Sequence, residues 1–230
     1  MSETPTPFAE VDELLSQFNG NDAFEILTKM ERNAEVEWRM AHAVYMQAQD
    51  IEDTEERKKK INEGYALAQS SFTKNPQCGE AAKQAAMMVG MLSEMESGTM
   101  ERMTLGGKFK EYLDKAIDLM STDQPDMTIL HMRGRFAYKV ASLSWLEKTV
   151  ACKVLGSLPE CTFDEALTDL LAAEDIFPSY DTLYYLGLTY LGKGDKEKAK
   201  EYFLRVTEED AVDAVDTEFA KEAKTELAKL

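Results

Sequence analysis

The chain is poor in residues that interrupt helices. It has 6 prolines and 12 glycines in 230 residues, which leaves little room for long linkers or a turn-rich β fold. β-Branched Val and Ile are sparse, whereas Ala, Leu, Met, Glu and Lys abound, a balance that favours helix. Histidine is scarcer still: only His42 and His131 are present, far apart in sequence. Cys78, Cys152 and Cys161 form no CxxC pair and leave one thiol over, so neither a disulfide framework nor a zinc ribbon is expected. Free thiols suit a reducing, cytoplasmic setting. No apolar run approaches the ~18 residues of a membrane span. Met1 to Phe8 carries no basic patch and no apolar stretch, so neither a signal peptide nor an N-terminal anchor is expected.

Catalytic signatures are equally thin. Gly106-Gly107-Lys108 lacks the upstream glycine of a phosphate loop and reads as a turn. Glu208-Glu209-Asp210 lacks the register of a calcium loop. No cysteine has a histidine near it in sequence. The expectation is a protein without metal or cofactor, and not an enzyme.

Positive charge is in short supply overall but unevenly so. The net charge is -17. Residues 1–56 hold 3 basic and 14 acidic side chains, residues 154–230 hold 8 and 18, and residues 57–153 reverse the balance with 15 and 11. The molecule as a whole should repel polyanions, which argues against general nucleic-acid binding. Its middle segment can still engage an acidic partner locally.

What the chain does have is a repeat. Leu183, Leu186, Gly187, Tyr190, Ala199, Phe203 and Val206 follow one another at gaps of 3, 1, 3, 9, 4 and 3. This is the tetratricopeptide spacing, in which each helix pair buries its apolar face only by stacking on a neighbour. The predicted pair is Leu183 to Gly192 and Lys196 to Glu208. Reading backwards, Leu130, Gly134 and Ala137 pair with Ala166, Leu170, Ala173 and Pro178. About twenty extra residues lie between them and are expected to lengthen the first helix to about Cys152, with Gly156 and Pro159 as breakers. Thr162-Phe-Asp-Glu165 has the form of a capping box. Ala82, Ala85, Ala86 and Val89 pair with Phe109, Leu113 and Ala116; Trp38, Ala41, His42 and Tyr45 pair with Gly64, Ala68, Ser71 and Pro76. Phe8 to Phe18 and Asp22 to Met30 suggest a short leading pair turned at Asn19-Gly20. The predicted fold is therefore all-α: a tetratricopeptide-like array of antiparallel helix pairs with elongated helices. An N-terminal helical pair is expected over 1–35, the repeat domain over 36–230, and its C-terminal capping helix over 213–230.

The long third unit carries a more specific resemblance. His131-Met-Arg-Gly-Arg135 leads into Val140-Ala-Ser-Leu-Ser-Trp-Leu-Glu-Lys148 and then Thr162-Phe-Asp-Glu-Ala-Leu167. With Glu37-Trp-Arg-Met-Ala41 and Phe109-Lys-Glu-Tyr-Leu-Asp-Lys-Ala-Ile-Asp-Leu119, the chain resembles the regulator of microtubule dynamics family over roughly Trp38 to Val206. The resemblance implies association with microtubules, at the spindle and its poles, and a part in spindle organisation and chromosome segregation. It also implies tubulin as partner, or acidic segments of spindle proteins. Some relatives carry a membrane anchor; this chain resembles the soluble branch.

Tetratricopeptide geometry directs chosen positions of each first helix into a concave groove. In the third unit these are Thr128, His131, Arg135, Tyr138 and Lys139, which recur on neighbouring turns of one helix. Arg39, Lys83 and Met87 would join them from earlier units, and Tyr184 and Leu188 from the last. The expected groove is basic and aromatic. Arg135 can grip a carboxylate with two N–H groups and Lys139 adds a mobile charge, so an acidic peptide is the natural ligand. A chaperone-type peptide clamp would need Lys and Asn where Arg39 and Ala43 stand. A lipid module would need an enclosed apolar cavity, lined for example by Tyr138, Trp145 and methionines. Arg57, Lys58, Lys59 and Lys60 form a second basic candidate, also readable as a solvated helix start behind Glu52, Asp53, Glu55 and Glu56. Trp38, Trp145 and the Met88, Met91, Met95 set read as core filling.

Overall fold

The computed structural model describes residues 7–120, 125–208 and 211–230. Among these residues it has twelve helices and no strand, as the composition and repeat spacing predict. The expectation for the N-terminus falls largely on residues 1–6, and the acidic run ends on 209–210; both lie outside the described residues. The chain divides into two compact units, residues 1–121 and 122–230.

The first unit contains α1 (Ala9–Ser16), α2 (Gly20–Thr28), α3 (Ala34–Gln49), α4 (Thr54–Lys74), α5 (Gly79–Met95) and α6 (Thr99–Leu119). Its helices start where side chains can satisfy free N–H groups: Asn19, Asn33 and Asp53 each accept a backbone N–H three residues on. Packing follows chain order, α2 on α3, α3 on α4, α4 on α5 and α5 on α6. One core gathers Val11, Leu15, Leu27, Val36 and Met40. The other gathers Ala41, Ile61, Ala68, Ala85, Met88 and Val89, with Met91 and Met95 against it, so the methionine set is core as expected. The extra residues of these units appear as added helical turns, which make α4 and α6 21 residues long. Ser97-Gly98 supplies the turn before α6. Gly106-Gly107, expected to be a turn, lies inside α6. Favourable helix formers on both sides and packing on α5 outweigh about 1 kcal/mol of lost propensity per glycine.

The second unit contains α7 (Met127–Ser142), α8 (Trp145–Leu155), α9 (Phe163–Ile176), α10 (Tyr180–Gly192), α11 (Lys196–Glu208) and α12 (Ala214–Leu227). α7 pairs with α9 and α10 with α11. The pairs approach closely at glycine: a Cβ on Gly134 would meet Leu170 and the Ala166 carbonyl, and one on Gly187 would meet Phe203. Leu170, Leu183, Leu186, Tyr190, Ala199, Phe203 and Val206 form one core, and Ala223 of α12 closes it. α12 is the expected cap, begun by the Asp213 carboxylate, which accepts the Asp216 N–H. Phe219 of α12 lies 5.4 Å from Tyr184, centroid to centroid, so α12 covers a face of α10 that would otherwise be open.

The inserted segment departs from expectation. α7 does not run on to Cys152; Leu143 is extended and a new helix starts at Trp145. Ser144 and Glu147 form a reciprocal capping box, with the Glu147 N–H donating to Ser144 Oγ and the Ser144 N–H donating to Glu147 Oε2. The break needs neither Gly nor Pro. It also removes Trp145 from the α7 face: the side chain is 80% exposed rather than core filling. Gly156 ends α8 at a φ of 79°, a conformation glycine takes at little cost. Thr162 and Glu165 form the second, expected capping box at α9.

Candidate functional site: a basic and aromatic face on α7 and α10

α7 is amphipathic by sequence. Ile129, Leu130, Gly134 and Ala137 face the packed side, which turns Arg135 and Lys139 the other way. Their neighbour is Tyr185 of α10. The Arg135 guanidinium lies 4.7 Å from the centre of the Tyr185 ring, and the Lys139 ammonium 5.5 Å. Tyr138 meets the same ring edge-on at 5.6 Å. Both cations gain from the quadrupole of that ring.

Beneath them lies a polar network. His131 is buried; its Nδ1 is 2.8 Å from Thr182 Oγ1 and its Nε2 is 3.1 Å from Asp181 Oδ2. The second approach is a charge contact without hydrogen-bond alignment, since Nε2 has no hydrogen-bond partner. Ser179 Oγ is 2.6 Å from Asp181 Oδ1 and 2.8 Å from Thr182 Oγ1, and the Thr182 N–H donates to Asp181 at 2.8 Å. Burial works against the charge of Asp181. His131, the Ser179 hydroxyl, Arg135 and the Thr182 N–H together outweigh it and lower its pKa. A settled carboxylate at the start of α10 thus anchors the helix from which Tyr185 projects. Burial, then the neighbouring Tyr185 phenol, raise the pKa of Tyr138, which stays a neutral donor.

The other sequence-selected residues lie elsewhere. Tyr184 is buried against Phe203 and Phe219, with its phenol hydrogen-bonded to Glu222; burial first, then Glu222, raise its pKa. Arg39 belongs to the first unit and is buried. It grips Asp12 through Nε–Oδ1 (2.6 Å) and Nη2–Oδ2 (3.1 Å), binds Glu35 at 2.8 Å, and is sandwiched by the rings of Phe8 and Trp38. Trp38 therefore serves in packing, half-buried and bonded to Glu35. Lys83 pairs with Glu80 at 2.9 Å. Arg57 is buried and donates to the Ile51 carbonyl at 2.7 Å; Lys58 pairs with Glu96, just past the end of α5, at 2.7 Å; Lys60 sits 3.6 Å from Glu63; Lys59 is exposed. Of the ten groove residues selected from the sequence, the structure brings His131, Arg135, Tyr138 and Lys139 together around Tyr185 and Asp181. It adds Tyr185 and Asp181, which sequence reasoning missed. Asp181 stands at the same repeat position as Thr128, three residues before the groove position of Tyr184, so the repeat frame itself pointed to it.

Among the described residues there is no cluster of three or more His, Cys, Asp or Glu side chains able to hold a metal, and no helix is long and apolar enough to cross a membrane. Two surface depressions, of about 390 Å³ beside Phe8 and Met30 and about 430 Å³ along α8, are open rather than enclosed.

Stacked helix pairs, glycine at their closest approach and a terminal cap define a tetratricopeptide-like repeat protein. A thermophilic TPR protein of Thermus thermophilus shares the fold, with a TM-score of 0.55 over 95% of this chain and 97% of that one at 12% identity. The family model described as "Regulator of microtubule dynamics protein 1-3" matches residues 8–230, and the chain belongs to that family. It is 31% identical to Regulator of microtubule dynamics protein 1 of Caenorhabditis elegans over 96% of this chain and 98% of that protein. It is 33% identical to the human Regulator of microtubule dynamics protein 2 over 80% of this chain, but spans only 44% of that longer protein. A 35% identity to protein 3 of Xenopus laevis covers 62% of this chain and 30% of the relative.

Proposed function

We propose that this protein is a non-enzymatic, microtubule-associated scaffold that contacts an acidic segment, most simply a tubulin tail, through the face built by α7 and α10. The observation that carries the reading is the convergence of Arg135 and Lys139 over the Tyr185 ring in a protein of net charge -17. Arg135 offers a planar fork for a carboxylate, Lys139 is exposed and mobile, and Tyr138 adds a phenol donor. His131 is buried, so its part is to position Asp181 and Thr182 rather than to touch the partner. The names of the relatives support a role in regulating microtubules. Spindle organisation, chromosome segregation and a cytoskeletal location at spindle and spindle poles are the finer parts of the same proposal.

The whole molecule repels an acidic ligand, so binding should rest on the short-range contacts of Arg135 and Lys139, which added salt weakens. Co-sedimentation of the full chain with stabilised microtubules across a salt series tests this. Binding that weakens steadily as salt rises is expected; binding that is absent at low salt, or indifferent to salt, would overturn it.

A further inference from the structure

Helix α8 is set apart from the rest of its unit. It makes no extended packing contact with any other helix, and Ala151 is its only fully buried side chain. On its outward surface a large aromatic stands open beside an exposed leucine: Trp145 is 80% exposed and Leu146 65%. Trp145, Lys148, Thr149 and Cys152 recur at helical spacing and, with Lys153, line a depression of about 430 Å³. Lys148 and Lys153 are both exposed, and neither has an ion-pair partner among the described residues. Two uncompensated lysines beside an open indole are an unusual feature in a chain carrying 43 acidic side chains.

We propose that this face of α8 is a docking surface for a short acidic segment of a partner protein that carries one aromatic or aliphatic anchor. The anchor would lie on Trp145, and flanking carboxylates would meet Lys148 and Lys153. Charge complementarity selects the occupant. Eleven residues of one helix present far less than the roughly 1,000 Å² a stable dimer needs, and two copies of a -17 chain repel each other. An anionic membrane would bring the same acidic body against a like charge. A narrow peptide avoids both costs. The inference does not rest on the α7–α10 reading, since it uses a different helix and different cations.

Trp145 supplies its own reporter. In a full-length Trp38→Phe chain, Trp145 is the sole tryptophan; unchanged melting would confirm the fold. Titration with a short polyglutamate peptide carrying one phenylalanine should shift its emission to the blue, less so as salt is added. Lys148→Glu/Lys153→Glu should weaken that binding about tenfold or more, whereas the same double charge reversal at the exposed lysines of α11, Lys196→Glu/Lys200→Glu, should leave the Trp145 shift unchanged. If Trp38→Phe unfolds the chain, calorimetry of the parent against Trp145→Ala reads the same contact. No response to the peptide, an equal response to polylysine, or an equal loss in the Lys196/Lys200 variant would overturn the proposal. A response to phosphatidylserine vesicles but not to peptide, or self-association in its absence, would overturn it equally.

Discussion

Gly187 of α10 faces the ring of Phe203 on α11 so closely that a Cβ on the glycine would stand 2.5 Å from a ring carbon. Phe203 is fully buried and cannot retreat. Gly187→Leu should therefore overpack the pair and cost about 1–3 kcal/mol, seen as a lower urea midpoint at an unchanged slope. An unchanged midpoint would mean that the two helices are not in contact there.

The repeat spacing made that contact readable, because a small residue of the first helix and a large apolar residue of the second recur at fixed offsets in the repeat. The same logic found Gly134 against Leu170. It failed where local chemistry outranked the frame. Ser144-Trp-Leu-Glu147 is a capping box visible in the sequence, yet the absence of Gly or Pro suggested one continuous helix. Missing that box moved Trp145 from solvent into a supposed core. Cationic residues of the groove were legible only in part. Periodicity gives the face on which Arg39 and Arg135 lie, but not the acids that meet them. Arg39 finds Asp12, 27 residues away; Arg135 lies over the ring of Tyr185 and acts on the buried carboxylate of Asp181. Long-range partners of this kind depend on how helices stack, which no local pattern encodes.

Arg39 is the clearest case of a cation used inside the fold. Removing its guanidinium leaves Asp12 and Glu35 without their shared donor and opens the slot between Phe8 and Trp38. Arg39→Met should lower stability by about 1–3 kcal/mol, the carboxylates being partly exposed and screened. Thermal unfolding measures the loss, and an unaltered melting temperature would refute it.

His42 and Asp216 make stability depend on pH with opposite signs. Burial first, and then the charge of Lys83, hold His42 down to about 4 against the opposing pull of Asp12. Between about 4 and 6.5 the unfolded chain binds a proton that the native chain does not, so stability falls as pH drops, by at most about 1.4 kcal/mol per pH unit. His42→Gln should remove that slope in urea unfolding.

Asp216 acts the other way. Burial, then Asp213, push its carboxyl up to about 6, while the Val212 N–H opposes them. Here the native chain binds the extra proton between about 4 and 6, so stability falls as pH rises through that window. Asp216→Asn keeps an acceptor for Val212 and should stabilise the protein by about 1 kcal/mol at neutral pH and not at all below pH 4, allowing for solvent screening. A variant no more stable than the parent at pH 7 would contradict the assignment.

If the cations over Tyr185 receive an acidic segment, reversing their charge and removing that segment must have the same effect. The Arg135→Glu/Lys139→Glu chain, with helicity and melting matched to the parent, is co-sedimented with microtubules before and after proteolytic removal of the acidic tubulin tails. The parent should bind intact microtubules and lose most of that binding when the tails are gone. The variant should bind intact microtubules about tenfold more weakly or worse and be insensitive to tail removal. A folded variant that binds as well as the parent, on microtubules whose tails make no difference, would contradict the account.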